Sequence, residues 1–223
     1  MTDLMDIYNL LLKKNGPQHW WPGDSPFEVM VGAILTQNTS WSNVEKAINN
    51  LKENNLLSIE SISDIKEEKL AELIKPAGYF NQKTFKLKRL VKFLNDEFNG
   101  DIESMKKLSL SHLRESLLSI NGIGPETADS ILLYALQKPI FVIDTYTARL
   151  TNRLEIFFEP PDYHTLQEYF MDHILEDIKL YNDFHAQIVV HGKDTCKKSK
   201  PKCDVCPLSN ICPFPKHSNE PNP

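Results

Sequence analysis

The run Leu118-Ser119-Ile120-Asn121-Gly122-Ile123-Gly124-Pro125-Glu126-Thr127-Ala128 decides how the rest of the chain is read. One helical pattern of apolar positions stops, a Gly-x-Gly break follows, and a second amphipathic pattern begins. Glycine allows backbone angles closed to other residues and lets another backbone come close. Pro125 suits the first turn of a helix, where its missing N–H removes no hydrogen bond. Beyond it, Ala128, Ile131, Leu132 and Ala135 keep helical spacing and make one apolar stripe. By itself this is an ordinary helix–turn–helix link, although the free N–H groups of such a helix start also suit a phosphate.

The same periodicity extends outward. Leu87, Leu90, Val91 and Leu94 form a second stripe, and glycines fall mostly at breaks between such patterns. Asn99-Gly100 and Asn121-Gly122 are dipeptides typical of hairpins, but their flanks do not alternate, so they read as links between helices. Pro139–Ile143 is the one β-like run and is too isolated to build a sheet. Further breaks lie at Trp20–Pro26 and at Glu159-Pro160-Pro161-Asp162, and the stretch after Cys212 is expected to be a disordered tail. The predicted fold class is all-α. With 41% hydrophobic residues in 223, the chain can bury one large core or two smaller ones. No uncharged apolar stretch reaches the roughly 18 residues of a membrane span. Met1–Asp6 lacks a basic start followed by an apolar core, so a cytoplasmic protein is expected.

The formal charge of −5 runs against nucleic-acid binding, which normally calls for a basic surface. The cations are nevertheless clustered. Lys193, Lys197, Lys198, Lys200 and Lys202 crowd around one acid, Asp194; Lys83, Lys86, Lys88, Arg89 and Lys92 make a second run. Such runs are phosphate patches or simply solvated helix faces.

Cys196, Cys203, Cys206 and Cys212 follow the spacing C-x6-C-x2-C-x5-C. In a reducing compartment such a cluster points to metal rather than disulfides. Zinc held by four thiolates usually takes two C-x2-C pairs, and only one close pair exists here. An iron–sulfur cubane accepts single thiolates from one loop. The chemistry leans toward iron–sulfur and leaves zinc open. Asp144, in Val142-Ile143-Asp144-Thr145-Tyr146, follows Gly124 by twenty residues and opens a helix well as an N-cap.

The cysteine spacing resembles the cluster loop of the endonuclease III family, within the helix-hairpin-helix DNA glycosylase superfamily. The hairpin, then Val142-Ile143-Asp144-Thr145, then a helix bearing Arg149, Asn152 and Arg153, resembles the same superfamily in the same order, over roughly residues 25–212. The resemblance implies a helical barrel domain at 24–138 holding the hairpin, and an iron–sulfur domain from 1–23 with 139–212, leaving 213–223 as the tail. It implies a [4Fe–4S] cluster on the four cysteines, Asp144 as the catalytic carboxylate, and DNA contact through Gly122 and Gly124. Bifunctional members carry a lysine in the hairpin's second helix, whose amine forms a Schiff base with the sugar. Here that position is Glu126, and no lysine lies between Leu118 and Gln137, so a monofunctional enzyme is expected. Glu126 itself is either a base-pocket residue or a first-turn complement to the helix dipole.

Trp20-Trp21-Pro22, Leu35-Thr36-Gln37-Asn38-Thr39-Ser40-Trp41 and Gly78-Tyr79-Phe80-Asn81-Gln82-Lys83 resemble the bacterial 3-methyladenine glycosylases of this superfamily. That likeness implies an everted base held between Trp41 and Trp20 or Trp21. Gln37 or Asn38 is either the side chain that fills the vacated stack or an ordinary helix-end amide. A cationic alkylated purine is drawn to aromatic faces and is already a good leaving group. The expected partner is double-stranded DNA containing a damaged base, bound by a monomer. Excision of oxidised pyrimidines or mismatched bases, and a non-enzymatic iron–sulfur DNA-binding role, are the competing readings.

Overall fold

The computed structural model describes residues 3–214, and these form twelve α-helices with no β-strand among them. The part of the anticipated tail from residue 215 onward lies outside the described residues. Two compact units result: Trp21–Lys138 is one, and the chain up to Trp20 together with that from Pro139 is the other. The first boundary thus falls between two adjacent tryptophans rather than at residue 23.

In the Trp21–Lys138 unit, α2 (Pro26–Leu35) is apolar apart from Glu28 and buried from Phe27 to Leu35, as a helix enclosed by others must be. Ser25 caps it, its Oγ accepting from the Glu28 N–H at 3.2 Å. Around α2 pack α3 (Trp41–Glu53), the long α6 (Phe80–Phe98), α9 (Pro125–Ser130) and a π-helical turn at Ile131–Ala135. Short helices α4 (Ile59–Asp64), α5 (Glu67–Leu73), α7 (Ile102–Met105) and α8 (Leu110–Ser119) complete the unit. The stripe Leu87, Leu90, Val91, Leu94 is the buried face of α6. That helix ends with Asn99 at φ +51°, Gly100 at φ +75° and a Gly100 N–H bond to the Leu94 carbonyl, so Asn-Gly stops a helix here instead of turning a hairpin.

In the other unit, α12 (Ile178–Asp194) packs on α1 (Leu4–Asn15) and α10 (Thr145–Arg153), beside α11 (Tyr163–His173). All four helices start from an aspartate whose carboxylate accepts a first-turn N–H: Asp3, Asp144, Asp162 and Asp177. The β-like run 140–143 is buried and has no sheet partner among the described residues. Side chains bond its backbone instead: Gln167 Nε2 donates to the Phe141 carbonyl at 2.6 Å, and the Ile143 N–H donates to the Tyr163 hydroxyl at 3.4 Å. Phe141 stacks on Phe170 at 4.4 Å and meets Tyr181 and Phe184 edge-on, which anchors the segment leading into Asp144.

Candidate active site

Asp144 is the N-cap of α10. Its Oδ1 accepts from the Thr147 N–H at 2.7 Å and from the Thr147 hydroxyl at 2.9 Å, and its Oδ2 faces His185 Nε2 of α12 at 3.6 Å. The carboxylate is 10% exposed and the imidazole 7%. Burial works to raise the Asp144 pKa. The imidazole of His185 facing Oδ2 and the two bonds from Thr147 outweigh it, so the carboxyl titrates below its ordinary range. Trp20 stacks over His185, with centroids 6.3 Å apart and planes at 23°. Trp20 therefore belongs to the unit that carries Asp144.

Trp21 takes a different place. Its indole lies on Gly32 of α2, where an added Cβ would stand 3.3 Å from Nε1 and 3.4 Å from Cζ2. It meets Trp41 edge-to-face at 5.2 Å and 88°, and Tyr134 at 5.2 Å. Of the two tryptophans that sequence reasoning offered as partners for Trp41, the structure puts Trp21 beside it. Both Trp21 and Trp41 are partly exposed, and Trp41 Nε1 donates to Glu45 at 2.9 Å.

The hairpin joins α8 to α9 through Gly122 at φ +100°. A Cβ there would stand 2.7 Å from Lys86 Cγ, so both angle and space require glycine. Gly124 differs: its φ is −93°, it is exposed, and nothing lies within 4 Å of a Cβ placed on it. Packing does not demand glycine at 124, and the turn is open to another molecule. Gln37 spans from the end of α2 to this turn, its Nε2 donating to Thr127 Oγ1 at 2.8 Å and to the Gly122 carbonyl at 3.3 Å, while Lys86 Nζ donates to its Oε1. With both ends of its amide engaged, Gln37 braces the hairpin. Its neighbour Asn38 is exposed at φ +54°. Glu126 is exposed in the first turn of α9.

The basic run on α6 does not make a uniform solvated face. Lys83 is 2% exposed and donates to the carbonyls of Leu35 (2.8 Å) and Ala77 (2.7 Å); burial, helped by the charge of Lys86, pushes its pKa down to about 8. Lys88 donates to the carbonyls of Ser63 and Ile65 at the end of α4, and Arg89 to Asn121 at 2.9 Å. These cations cap helix ends and the hairpin loop. By contrast, Lys193, Lys197, Lys198, Lys200 and Lys202 are all exposed.

Cys196, Cys203, Cys206 and Cys212 line one pocket, closed on its apolar sides by Leu150, Pro201, Leu208 and Phe214. Arg153 Nη1 donates to Cys196 Sγ at 3.0 Å, and the same guanidinium bonds the carbonyls of Lys197 and Lys198 and lies over the Phe214 ring at 4.3 Å. Phe214, assigned to the tail by sequence reasoning, is thus a wall of this pocket. Arg149 ties the loop start to α12 through the carbonyls of Cys196 and Gly192. His191 Nε2 stands 3.8 Å from Cys206 Sγ; burial and the charges of Arg149 and Arg153 lower its pKa to about 4, so the ring is neutral near pH 7. Burial pushes the Cys206 thiol up to about 11. Among the described residues no three His, Cys, Asp or Glu side chains converge as ligands of a single metal ion.

The chain has relatives among known proteins. Residues 31–174 match the HhH-GPD superfamily of base excision DNA repair proteins. The chain belongs to this superfamily. It is 49% identical over 208 residues to the provisionally named DNA repair glycosylase MJ1434 of Methanocaldococcus jannaschii, covering 92% of this chain and 94% of that one. Against endonuclease III of Sulfolobus acidocaldarius the identity is 30% over 190 residues, covering 84% and 82%. Among solved structures, the 3-methyladenine DNA glycosylase MagIII of H. pylori bound to 1,N6-ethenoadenine is 34% identical with TM-score 0.75, covering 86% of this chain and 98% of that one. A non-covalent endonuclease III–DNA complex superimposes with TM-score 0.83 at 21% identity, a likeness of HhH-GPD fold alone. The all-α expectation and the superfamily resemblance hold. Of the residues around Asp144, sequence reasoning missed His185: it lies on another helix, and no local spacing links the two.

Proposed function

We propose that this HhH-GPD protein is a monofunctional DNA glycosylase that hydrolyses the N-glycosidic bond of alkylated, cationic purines such as 3-methyladenine and 7-methylguanine in double-stranded DNA. The observation that carries it is the capped, ionised Asp144, combined with Glu126 where a lyase would need an amine. The MagIII relative, named for 3-methyladenine, supports the substrate class. A carboxylate held below its ordinary pKa is a weak base at neutral pH and a good electrostatic partner for positive charge. Asp144 therefore acts chiefly by stabilising the oxocarbenium-like sugar. The C1′–N bond breaks with its electron pair passing to the cationic base, which leaves neutral and needs no acid. Water adds its oxygen to C1′, and its proton passes to Asp144 or to solvent.

Trp21 and Trp41 supply the aromatic surface for the everted base, Asn38 rather than the engaged Gln37 enters the vacated stack, and the open turn at Gly122 and Gly124 receives the DNA backbone. The exposed lysines of the cysteine loop add phosphate contacts despite the net charge of −5. The four cysteines fit a [4Fe–4S] cluster: all four thiols line one pocket, and single cysteines flanking one close C-x2-C pair suit a cubane better than the two such pairs usual for zinc. Such a cluster would cross-link the loop and hold its lysines toward DNA. The protein is proposed to act as a monomer; among the described residues no helix is long and apolar enough to cross a membrane.

Base release from methylated DNA, from duplexes with oxidised pyrimidines and from mismatched duplexes tests the assignment. Release of 3-methyladenine and 7-methylguanine is expected, with no borohydride-trapped adduct on abasic DNA. Activity confined to the pyrimidine or mismatch duplexes, or an efficient covalent adduct, overturns it.

A further inference from the structure

A histidine packed between rings is usually a core residue, and position 185 has the surroundings for one. Trp20 covers one face, and Phe141 meets the ring edge-on at 6.5 Å and 87°. An apolar side chain would fill that space at less cost, since a buried polar ring is unfavourable unless it is paired. What the ring faces is the Asp144 carboxylate. Thr147 occupies Oδ1 twice over, and Oδ2 points at His185 Nε2. A carboxylate oxygen has more than one lone-pair direction, so an oxygen held by one donor still presents charge to a substrate. At 3.6 Å the pair lies within ion-pair range and just beyond hydrogen-bond length.

We propose that His185 is a positioning residue for Asp144, holding Oδ2 in line and sustaining the negative charge that the reaction uses. Its reaction rests on the glycosylase reading above; its geometry does not. Nearby titratable groups have other partners. From α1, Tyr8 bonds Asp183 of α12 at 3.0 Å, and Asp183 also accepts from the Gln18 N–H. Tyr163 of α11 accepts from the Ile143 N–H. Arg149 and Arg153 of α10 reach toward the cysteine loop. Of the side chains that hold the Asp144 pKa down against burial, His185 is the titratable one, alongside the Thr147 bonds.

The test compares wild type, His185→Phe and His185→Gln. Three readouts are taken: single-turnover base release against pH, affinity for duplex with an uncleavable abasic analogue, and the titration of the Asp144 carboxyl followed by carbon NMR, assigned with Asp144→Asn. In His185→Phe the rate is expected to fall about 10- to 100-fold, the loss typical when an outer-shell partner that orients a functional side chain is removed. DNA affinity should stay near wild type, and both the carboxyl titration and the acidic limb of the rate profile should move to higher pH. His185→Gln keeps a donor and should recover part of the rate; it also serves if His185→Phe does not fold. An Asp144 titration and rate unchanged in the folded variants overturn the proposal whatever the substrate is. A shifted titration in a protein that releases no base from any lesion upholds the Asp144–His185 coupling and instead defeats the glycosylase assignment.

Discussion

At position 32 the side chain is a hydrogen atom, and the Trp21 indole occupies the space any larger group would need. This glycine sits inside α2, where it costs helix stability of order 1 kcal/mol relative to alanine. What it allows is the Trp21–Trp41–Tyr134 aromatic cluster. Gly32→Val would push the indole away. The expected result is a protein that still folds, destabilised by about 1–3 kcal/mol as for other overpacked sites. Its affinity for duplex carrying an alkylated base should fall about tenfold, the scale of one lost base–aromatic stack. Unchanged binding with unchanged tryptophan fluorescence would remove Trp21 from the base pocket. Sequence reasoning reached these residues only in part. It names both Trp20 and Trp21 as partners for Trp41, but which one joins Trp41 depends on packing against Gly32 and His185, positions that neighbour neither tryptophan in the chain.

Among the elements, α6 shows how a charge run can mislead. Its cations look like a phosphate-binding face, yet Lys83 is a core residue serving two carbonyls at helix ends, where no further turn supplies a donor. Lys83→Met would leave both carbonyls buried without that donor, and a loss of about 1–3 kcal/mol in unfolding free energy is expected. The pH dependence has a definite sign. The folded pKa of about 8 lies below the ordinary 10.5, so between those values Lys83 binds more protons in the unfolded chain and its contribution to stability rises with pH. The deficit of Lys83→Met should therefore widen when denaturant melts are run from pH 7 to pH 10; a deficit that narrows would show that the charge, rather than the two bonds, is what the core needs. The helix itself was plain in the sequence, because Leu87, Leu90, Val91 and Leu94 repeat at helical spacing. The burial of Lys83 was not, because it lies off that stripe and enters the core only through the ends of neighbouring helices.

For the whole molecule, the chief question is what the cysteine loop holds. A [4Fe–4S] cluster predicts brown protein with broad visible absorption, about four irons per chain, and loss of colour and thermal stability in Cys203→Ser. Colourless protein with one zinc per chain would end that assignment and leave the glycosylase reading untouched. The spacing of the cysteines pointed to a metal site before any coordinates. The structure adds that Arg153 reaches from α10 to Cys196 and stacks on Phe214, joining the helix that Asp144 caps to the cysteine loop.

Local features were legible in the amino acids alone: helix periods, the Asp144 cap, the glycine hairpin, the cysteine spacing and the missing hairpin lysine. Each of these depends on residues within a few positions of one another, where backbone geometry relates spacing directly to shape. Only the tertiary structure decided that His185 faces Asp144, that Trp20 and Trp21 enter different units, that Gln37 braces the hairpin, and that Lys83 is buried. These depend on side chains distant in sequence meeting in a close-packed interior, where volume and hydrogen-bond satisfaction choose the neighbours and periodicity carries no record of them.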